Sequence, residues 1–162
     1  SRIMQNEKLY FRELLETDAE RLFEIYSNAE AMKYRETKPM KTLADANEML
    51  TRDKAVKESS YEFRFAVIEK QSEQLIGTVM YQPLSNKAVI GYSIDQNFWN
   101  KGYGSAIVKI ISAYLKTKSF SLLEAWVKKD NIASCKVLEK NQFNYISQTI
   151  YPASNLYQCK IK

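Results

Sequence analysis

The chain has 162 residues, 45% of them hydrophobic, which is enough for one sizeable core and a single domain over 1–162. Its net charge is +5, from 24 basic and 19 acidic residues, with two cysteines and no histidine. These counts exclude a histidine-based triad, a histidine-ligated metal and a disulfide framework, and no apolar run approaches the ~18 residues of a membrane helix. Ser1-Arg2-Ile3 ahead of Met4 read either as a natural start or as a cloning remnant, and no apolar signal-peptide core comes after them, so a cytoplasmic location is expected. The basic residues are scattered, although Lys128-Lys129 and Lys101 could share a face. The excess positive charge therefore suits solubility or an anionic cofactor better than nucleic acid.

In chain order, Leu9–Leu14 reads as a first strand and Thr17-Asp18-Ala19-Glu20 as a capping box, with Thr17 and Glu20 satisfying each other's backbone donors. Ala19, Leu22, Phe23 and Tyr26 then recur at helical spacing, and a second helix is expected from Ala44 to about Val56. Between Tyr61 and Ile68 the pattern changes to strict alternation, as in a half-buried strand. Short polar turns separate it from strands Gln74–Gln82 and Lys87–Asp95, which together should form an antiparallel meander. A helix over Gly102–Lys118 carries Ile107, Ile110, Ile111 and Tyr114 on one face. Strand Ser121–Lys128, helix Ile132–Lys140 and the strands Tyr145–Tyr151 and Asn155–Ile161 complete the chain. The order is β-α-α-β-β-β-α-β-α-β-β. The strand–helix–strand crossover makes the fourth and fifth strands run parallel.

The connection Phe98-Trp99-Asn100-Lys101-Gly102-Tyr103-Gly104-Ser105 is the most informative segment. Two glycines permit a tight turn and a close backbone approach to a ligand. The helix that begins there directs unpaired N–H groups and its positive end at the same place, and Lys101 adds a full charge. Residues Asn100 to Ser105 therefore form a candidate phosphate site. Taken alone, the segment also reads as a plain glycine-rich strand-to-helix connection.

A second segment, Asp130-Asn131-Ile132-Ala133-Ser134-Cys135-Lys136-Val137-Leu138-Glu139-Lys140-Asn141-Gln142-Phe143, completes a pattern. With both segments in view the chain resembles the GNAT superfamily of acyl-coenzyme A N-acyltransferases, and within it the ribosomal-protein N-terminal acetyltransferases. The first segment is similar to that branch's W-x-K-G-Y-G/A pyrophosphate loop, the second to its D-N-x-A-S-x-x-V-L-E-K-x-G-F signature. The resemblance implies an α+β fold with a mixed, largely antiparallel sheet splayed between the fourth and fifth strands. It also implies acetyl-coenzyme A as cosubstrate, no metal, and an amine acceptor such as a protein N-terminus or a small amine. Monomer and homodimer both remain open. A polyamine or antibiotic acetyltransferase, and a catalytically weak acyl-coenzyme A binding module, are the alternatives.

By the same resemblance, the amides of Lys101 to Ser105 would hold the pyrophosphate, the backbone of Ser93 and Ile94 would pair with pantetheine, and Asn131 would touch pantetheine. Asn131 equally reads as a plain helix N-cap. Many relatives place a tyrosine on the short helix to protonate the leaving thiolate; that position is Leu138 here, and Ser134, one turn earlier, is the candidate in its stead. Cys135 has no histidine to activate it and reads as buried filler. Relatives often carry a glutamate where this chain has Val89. Glu124, mid-strand between apolar neighbours, is then a candidate base, with a structural salt bridge as its other reading. Gln142 stands where the signature has glycine, so Asn141 is expected to take the left-handed turn. The family layout would line the acceptor groove with Tyr34, Arg35, Glu36 and Tyr151. Acetyl transfer by direct attack needs no covalent enzyme intermediate, and an α-amine is neutral enough near pH 7 to proceed with a weak base.

Overall fold

The computed structural model describes residues 4–35, 37–149 and 153–162. Strand β1 (Leu9–Glu13) is followed by α1 (Ala19–Tyr26), the single-turn α2 (Ala29–Met32) and α3 (Leu43–Glu58). The strands β2 (Phe63–Glu69), β3 (Gln74–Leu84) and β4 (Lys87–Ile94) come next, then α4 (Tyr103–Lys116), β5 (Leu122–Lys128), α5 (Ile132–Lys140), β6 (Asn144–Gln148) and β7 (Ser154–Lys160). The expected order holds, with α2 as an addition. Among the described residues one seven-stranded sheet has the order β1-β2-β3-β4-β5-β7-β6. Of its neighbouring strands only β4 and β5 run parallel, as the crossover through α4 requires. The fold is α+β.

The β4–β5 pairing runs from Lys87↔Leu122 to Ile90↔Ala125 and stops there, although β4 continues to Ile94 and β5 to Lys128. Each strand beyond that point follows its other neighbour: β4 stays on β3 to Ile94, and β5 stays on β7 to Lys128. The sheet therefore splits at its centre, and the split opens toward the loop before α4.

Two apolar clusters flank the sheet. Ile107, Ile111 and Leu115 of α4 pack with Val67, Ile90, Leu123 and Leu138 on one face; Leu22, Ile25 and Met49 of α1 and α3 pack with Ala66, Ile68 and Leu75 on the other. Each fully buried Leu or Ile stabilises the fold by about 1.5–3 kcal/mol. The half-buried strand expected at β2 is corrected here. Ala66, Val67 and Ile68 are all buried, because helices cover both faces of this central strand.

The capping box expected of Thr17 and Glu20 also gives way. Asp18 does the capping: it accepts from the Leu15 N–H at 2.8 Å and from both guanidinium nitrogens of Arg12 at 2.9 Å. At the end of α5, Asn141 has φ −101° and Gln142 itself takes the left-handed conformation at φ 66°. The glutamine thus fills a glycine's conformational place. Asn141 uses its side chain elsewhere, donating to the Val137 carbonyl at 2.8 Å and the Ser105 hydroxyl at 3.1 Å.

Candidate active site

The loop from β4 to α4 is pinned at both ends. Asp95 accepts from the Asn97 N–H at 3.0 Å and pairs with Arg21 of α1, whose Nε also donates to the Leu75 carbonyl at 2.8 Å. Tyr103 donates its hydroxyl to the Glu69 carboxylate, which pushes the phenol up to about 12. Between these anchors Asn100 (φ 61°) and Gly102 (φ 82°) are left-handed, a conformation asparagine tolerates and glycine adopts without cost. The first helical bond of α4 is the Ala106 N–H to the Gly102 carbonyl, so the amides from Gly102 to Ser105 precede the helical ladder. Lys101 holds its ammonium 5.4 Å from the centre of the Phe98 ring. An ideal Cβ at Gly104 would lie 3.5 Å from the Tyr92 hydroxyl and from a Val137 methyl, so only a small side chain fits.

A cavity of about 540 Å³ runs from this loop along the split, lined among others by Ile94, Gly102, Gly104, Asn131, Ser134 and Tyr92. A second cavity, of about 410 Å³, lies deeper in the split and is lined by Arg35, Arg64, Ile90, Trp126, Lys128 and Leu138, among others. Tyr34, Arg35, Tyr92, Asn131 and Ser134 belong to both. Of the residues expected along an acceptor groove, Tyr34 and Arg35 line both cavities, whereas Glu36 and Tyr151 lie outside the described residues.

At the junction the Ser134 hydroxyl meets the Tyr92 hydroxyl at 3.1 Å. Burial pushes the Tyr92 phenol up, against a smaller opposite effect of the Ser134 hydrogen bond. Sequence reasoning missed Tyr92. A tyrosine hydroxyl does reach the position one turn before Leu138, but from β4 across the split, not from α5. Leu138 is buried and floors the second cavity. Asn131 is the N-cap of α5: its side-chain oxygen accepts from the Ser134 N–H at 3.2 Å, and the residue lines both cavities.

The backbone of β4 corrects the expectation for Ser93. Ser93 lines the first cavity, but the Asp95 N–H bonds the Ile76 carbonyl at 2.7 Å, and in that register Ser93, opposite Thr78, also turns its backbone groups toward β3. By alternation, Tyr92 and Ile94 face the split. The Ile94 carbonyl accepts from the Trp99 indole N–H at 2.8 Å, which leaves the Tyr92 backbone and the Ile94 N–H there. Ser93 contributes its hydroxyl instead, bonded to the Tyr26 phenol at 2.7 Å; that phenol reaches Thr78 at 2.6 Å, and Thr78 takes Arg64 at 2.9 Å. This chain of hydroxyls ties β4 to the second cavity.

Glu124 is corrected as well. Its carboxylate takes Lys87 at 3.2 and 3.3 Å and Gln158 at 2.9 Å, and it lines neither cavity. It holds β4, β5 and β7 together and is not placed to serve as a base. Cys135 is buried and takes a weak contact from Asn155 at 3.8 Å. No helix among the described residues is long and apolar enough to cross a membrane.

Residues 8–144 match the Acetyltransferase (GNAT) domain family. The uncharacterised N-acetyltransferase YoaA of Bacillus subtilis is 29% identical over 145 residues, covering 87% of this chain and 82% of that protein. Among solved structures, RimL, a ribosomal L7/L12 α-N-protein acetyltransferase in complex with coenzyme A, superposes with a TM-score of 0.87 at 15% identity, covering 99% of this chain and 98% of that one. Spermidine N-acetyltransferase from Vibrio cholerae, in complex with coenzyme A and spermine, gives 0.80 at 18% identity, with 94% of each chain covered. The two names differ in acceptor, and at this identity the likeness speaks for the fold. The split sheet, the left-handed glycine loop before α4 and the family match lead to one conclusion: the chain belongs to the GNAT acetyltransferases and is an acyl-coenzyme A-dependent acetyltransferase.

Proposed function

We propose that the chain transfers an acetyl group from acetyl-coenzyme A to the α-amine of a protein N-terminus. The observation that carries this reading is the Tyr92–Ser134 hydroxyl pair at the meeting of the two cavities. The cosubstrate would place its pyrophosphate on the amides of Lys101 to Ser105, with Asn100 shaping the turn. Its pantetheine would lie along Tyr92 and Ile94, with the Asn131 amide beside it. The amine would approach from the second cavity.

The neutral amine nitrogen attacks the thioester carbon, the C–N bond forms, and collapse of the tetrahedral intermediate breaks the C–S bond. The proton lost by nitrogen goes to water. The departing sulfur takes a hydrogen bond from Ser134, which Tyr92 orients; a proton passed along this pair to sulfur is restored to Tyr92 from water, which has taken the proton lost by the amine. No carboxylate lines the second cavity among the described residues, so a strong base is not at hand. This favours an α-amine, which at pH 7.5 is about one-third neutral, over a lysine amine, neutral about one part in a thousand.

The test follows thiol release from acetyl-coenzyme A with peptides bearing a free N-terminus, with N-blocked peptides bearing lysine, and with spermidine. The free N-terminus should be strongly preferred. A preference for blocked lysine peptides or for spermidine would overturn the α-amine reading.

A further inference from the structure

Among the described residues, the charged ones lining the second cavity are Arg35, Arg64 and Lys128. Arg64 is balanced from behind, with Asp53 at 3.5 Å and Glu62 at 3.6 Å. Burial pushes the Asp53 carboxyl up, against the pull of Arg64 and, more weakly, of Arg35. Arg35 and Lys128 form no ion pair among the described residues. Lys128 donates to a neutral acceptor, the Arg35 carbonyl, at 3.4 Å. The Arg35 guanidinium lies over the Tyr26 ring, 5.1 Å from its centre, and its buried Nε has no hydrogen-bond partner among the described residues. Asp130 lines the other cavity, on the cofactor side.

Two cations from distant parts of the chain, the turn after α2 and the end of β5, thus line one cavity to which no described carboxylate contributes. Bringing like charges together out of water costs free energy that a bound anion would offset. An arginine with a free donor is also suited to a carboxylate, which it can grip with parallel N–H bonds.

We propose that this cavity selects primary amines carrying a carboxylate close to the amine, as at a protein N-terminus with acidic second and third residues, over polycationic amines. The inference rests on the acetyltransfer reading above and adds the chemical class of the acceptor. Arg35 and Lys128 line the same cavity as Tyr92 and Ser134, and one or two residues of extended chain span about 4–7 Å, so a peptide with its amine at the hydroxyl pair offers an acidic side chain at either position to these cations. The same two cations act on the amine itself. A neighbouring positive charge disfavours the ammonium form and lowers its pKa, which raises the neutral fraction that attacks. Spermidine would meet these charges with its own.

The test compares peptides beginning Ser-Glu-Glu, Ser-Gln-Gln and Ser-Lys-Lys with free glutamate and spermidine. Two readouts are used: thiol release, and calorimetric binding to the coenzyme A-loaded protein. The acidic peptide should exceed the neutral one about tenfold in kcat/KM, equivalent to ~1.4 kcal/mol, mainly through KM. The lysine peptide and spermidine should fall lower still, and added salt should shrink the difference. Lys128→Gln and Arg35→Gln should each bring the acidic-to-neutral ratio toward one. Free glutamate binding as tightly as the acidic peptide would support the carboxylate-amine chemistry and assign it to a small acceptor.

Equal or reversed order among the three peptides would overturn the charge preference. Loss of coenzyme A affinity in Arg35→Gln and Lys128→Gln with the peptide ratio unchanged would overturn it too. Thiol release from no amine at all would count against acetyltransfer, while the binding series would still decide the charge preference.

Discussion

Removing the Tyr92 hydroxyl tests whether the tyrosine on β4 serves the thiolate. At 3.1 Å its contact with Ser134 is longer than the usual ~2.7–2.8 Å of a hydroxyl pair. Tyr92→Phe should therefore lower stability by only about 1 kcal/mol, the worth of an ordinary hydrogen bond. The catalytic effect should be larger. A thiol of pKa about 8.5 leaves with modest help, so kcat should fall about 10–100-fold, at the low end of general-acid effects. Ser134→Ala should fall by a similar factor. The double variant should be no worse than the poorer single one, because the two hydroxyls act as one unit. Single-turnover thiol release, with saturating acetyl-coenzyme A, isolates this step from product release.

The pH profile gives a second readout. Burial holds the Tyr92 phenol above its ordinary value, so it stays protonated through the physiological range. The parent's rate should rise as the acceptor amine deprotonates around pH 7.7–8.0 and then level, without a fall below about pH 10. Full activity in Tyr92→Phe, or multiplicative losses in the double variant, would refute the shared role. A tyrosine-dependent fall near pH ~8–9 would refute its protonation state.

Two further substitutions exploit backbone geometry. Gly104→Ala adds ordinary contacts at 3.5 Å and should be tolerated, whereas the branched methyls of Gly104→Val press on Tyr92 and Val137 and should cut coenzyme A affinity at least about tenfold by calorimetry; unchanged affinity would place the cosubstrate elsewhere. Gln142→Gly should raise the denaturation midpoint at constant m, since relief of about 1–2 kcal/mol of left-handed strain exceeds the ~0.5–1 kcal/mol entropic cost of a glycine; a lower midpoint would show that the glutamine side chain holds the turn.

The element order and the parallel pair were legible because they rest on local periodicity and on one crossover, both properties of contiguous residues. The loop from Asn100 to Ser105 was legible as a left-handed turn with free amides ahead of a helix, because there the backbone itself is the instrument. Ser93 was misjudged because an edge is not a property of the strand that carries it. Whether a residue's N–H and carbonyl turn left or right depends on the register with β3, fixed here by the bond from Asp95 to Ile76. Glu124 was misjudged for a related reason, since its neighbours in sequence are apolar while its partners, Lys87 and Gln158, come from other strands.

Tyr92 is the most instructive miss. Alternation puts it on the same face as Ala88 and Ile90, which pack under α4, so from sequence it reads as one more core aromatic. The difference lies past Ile90, where β4 parts from β5 and the next residue on that face meets an opening instead of a packed wall. The split therefore changes what the same side chain does: under a closed sheet the phenol would need a buried partner, and at the split it finds Ser134 and faces both cavities. This also accounts for Leu138. The Tyr92 hydroxyl meets Ser134 from β4, and the buried leucine one turn further along α5 closes the floor of the second cavity.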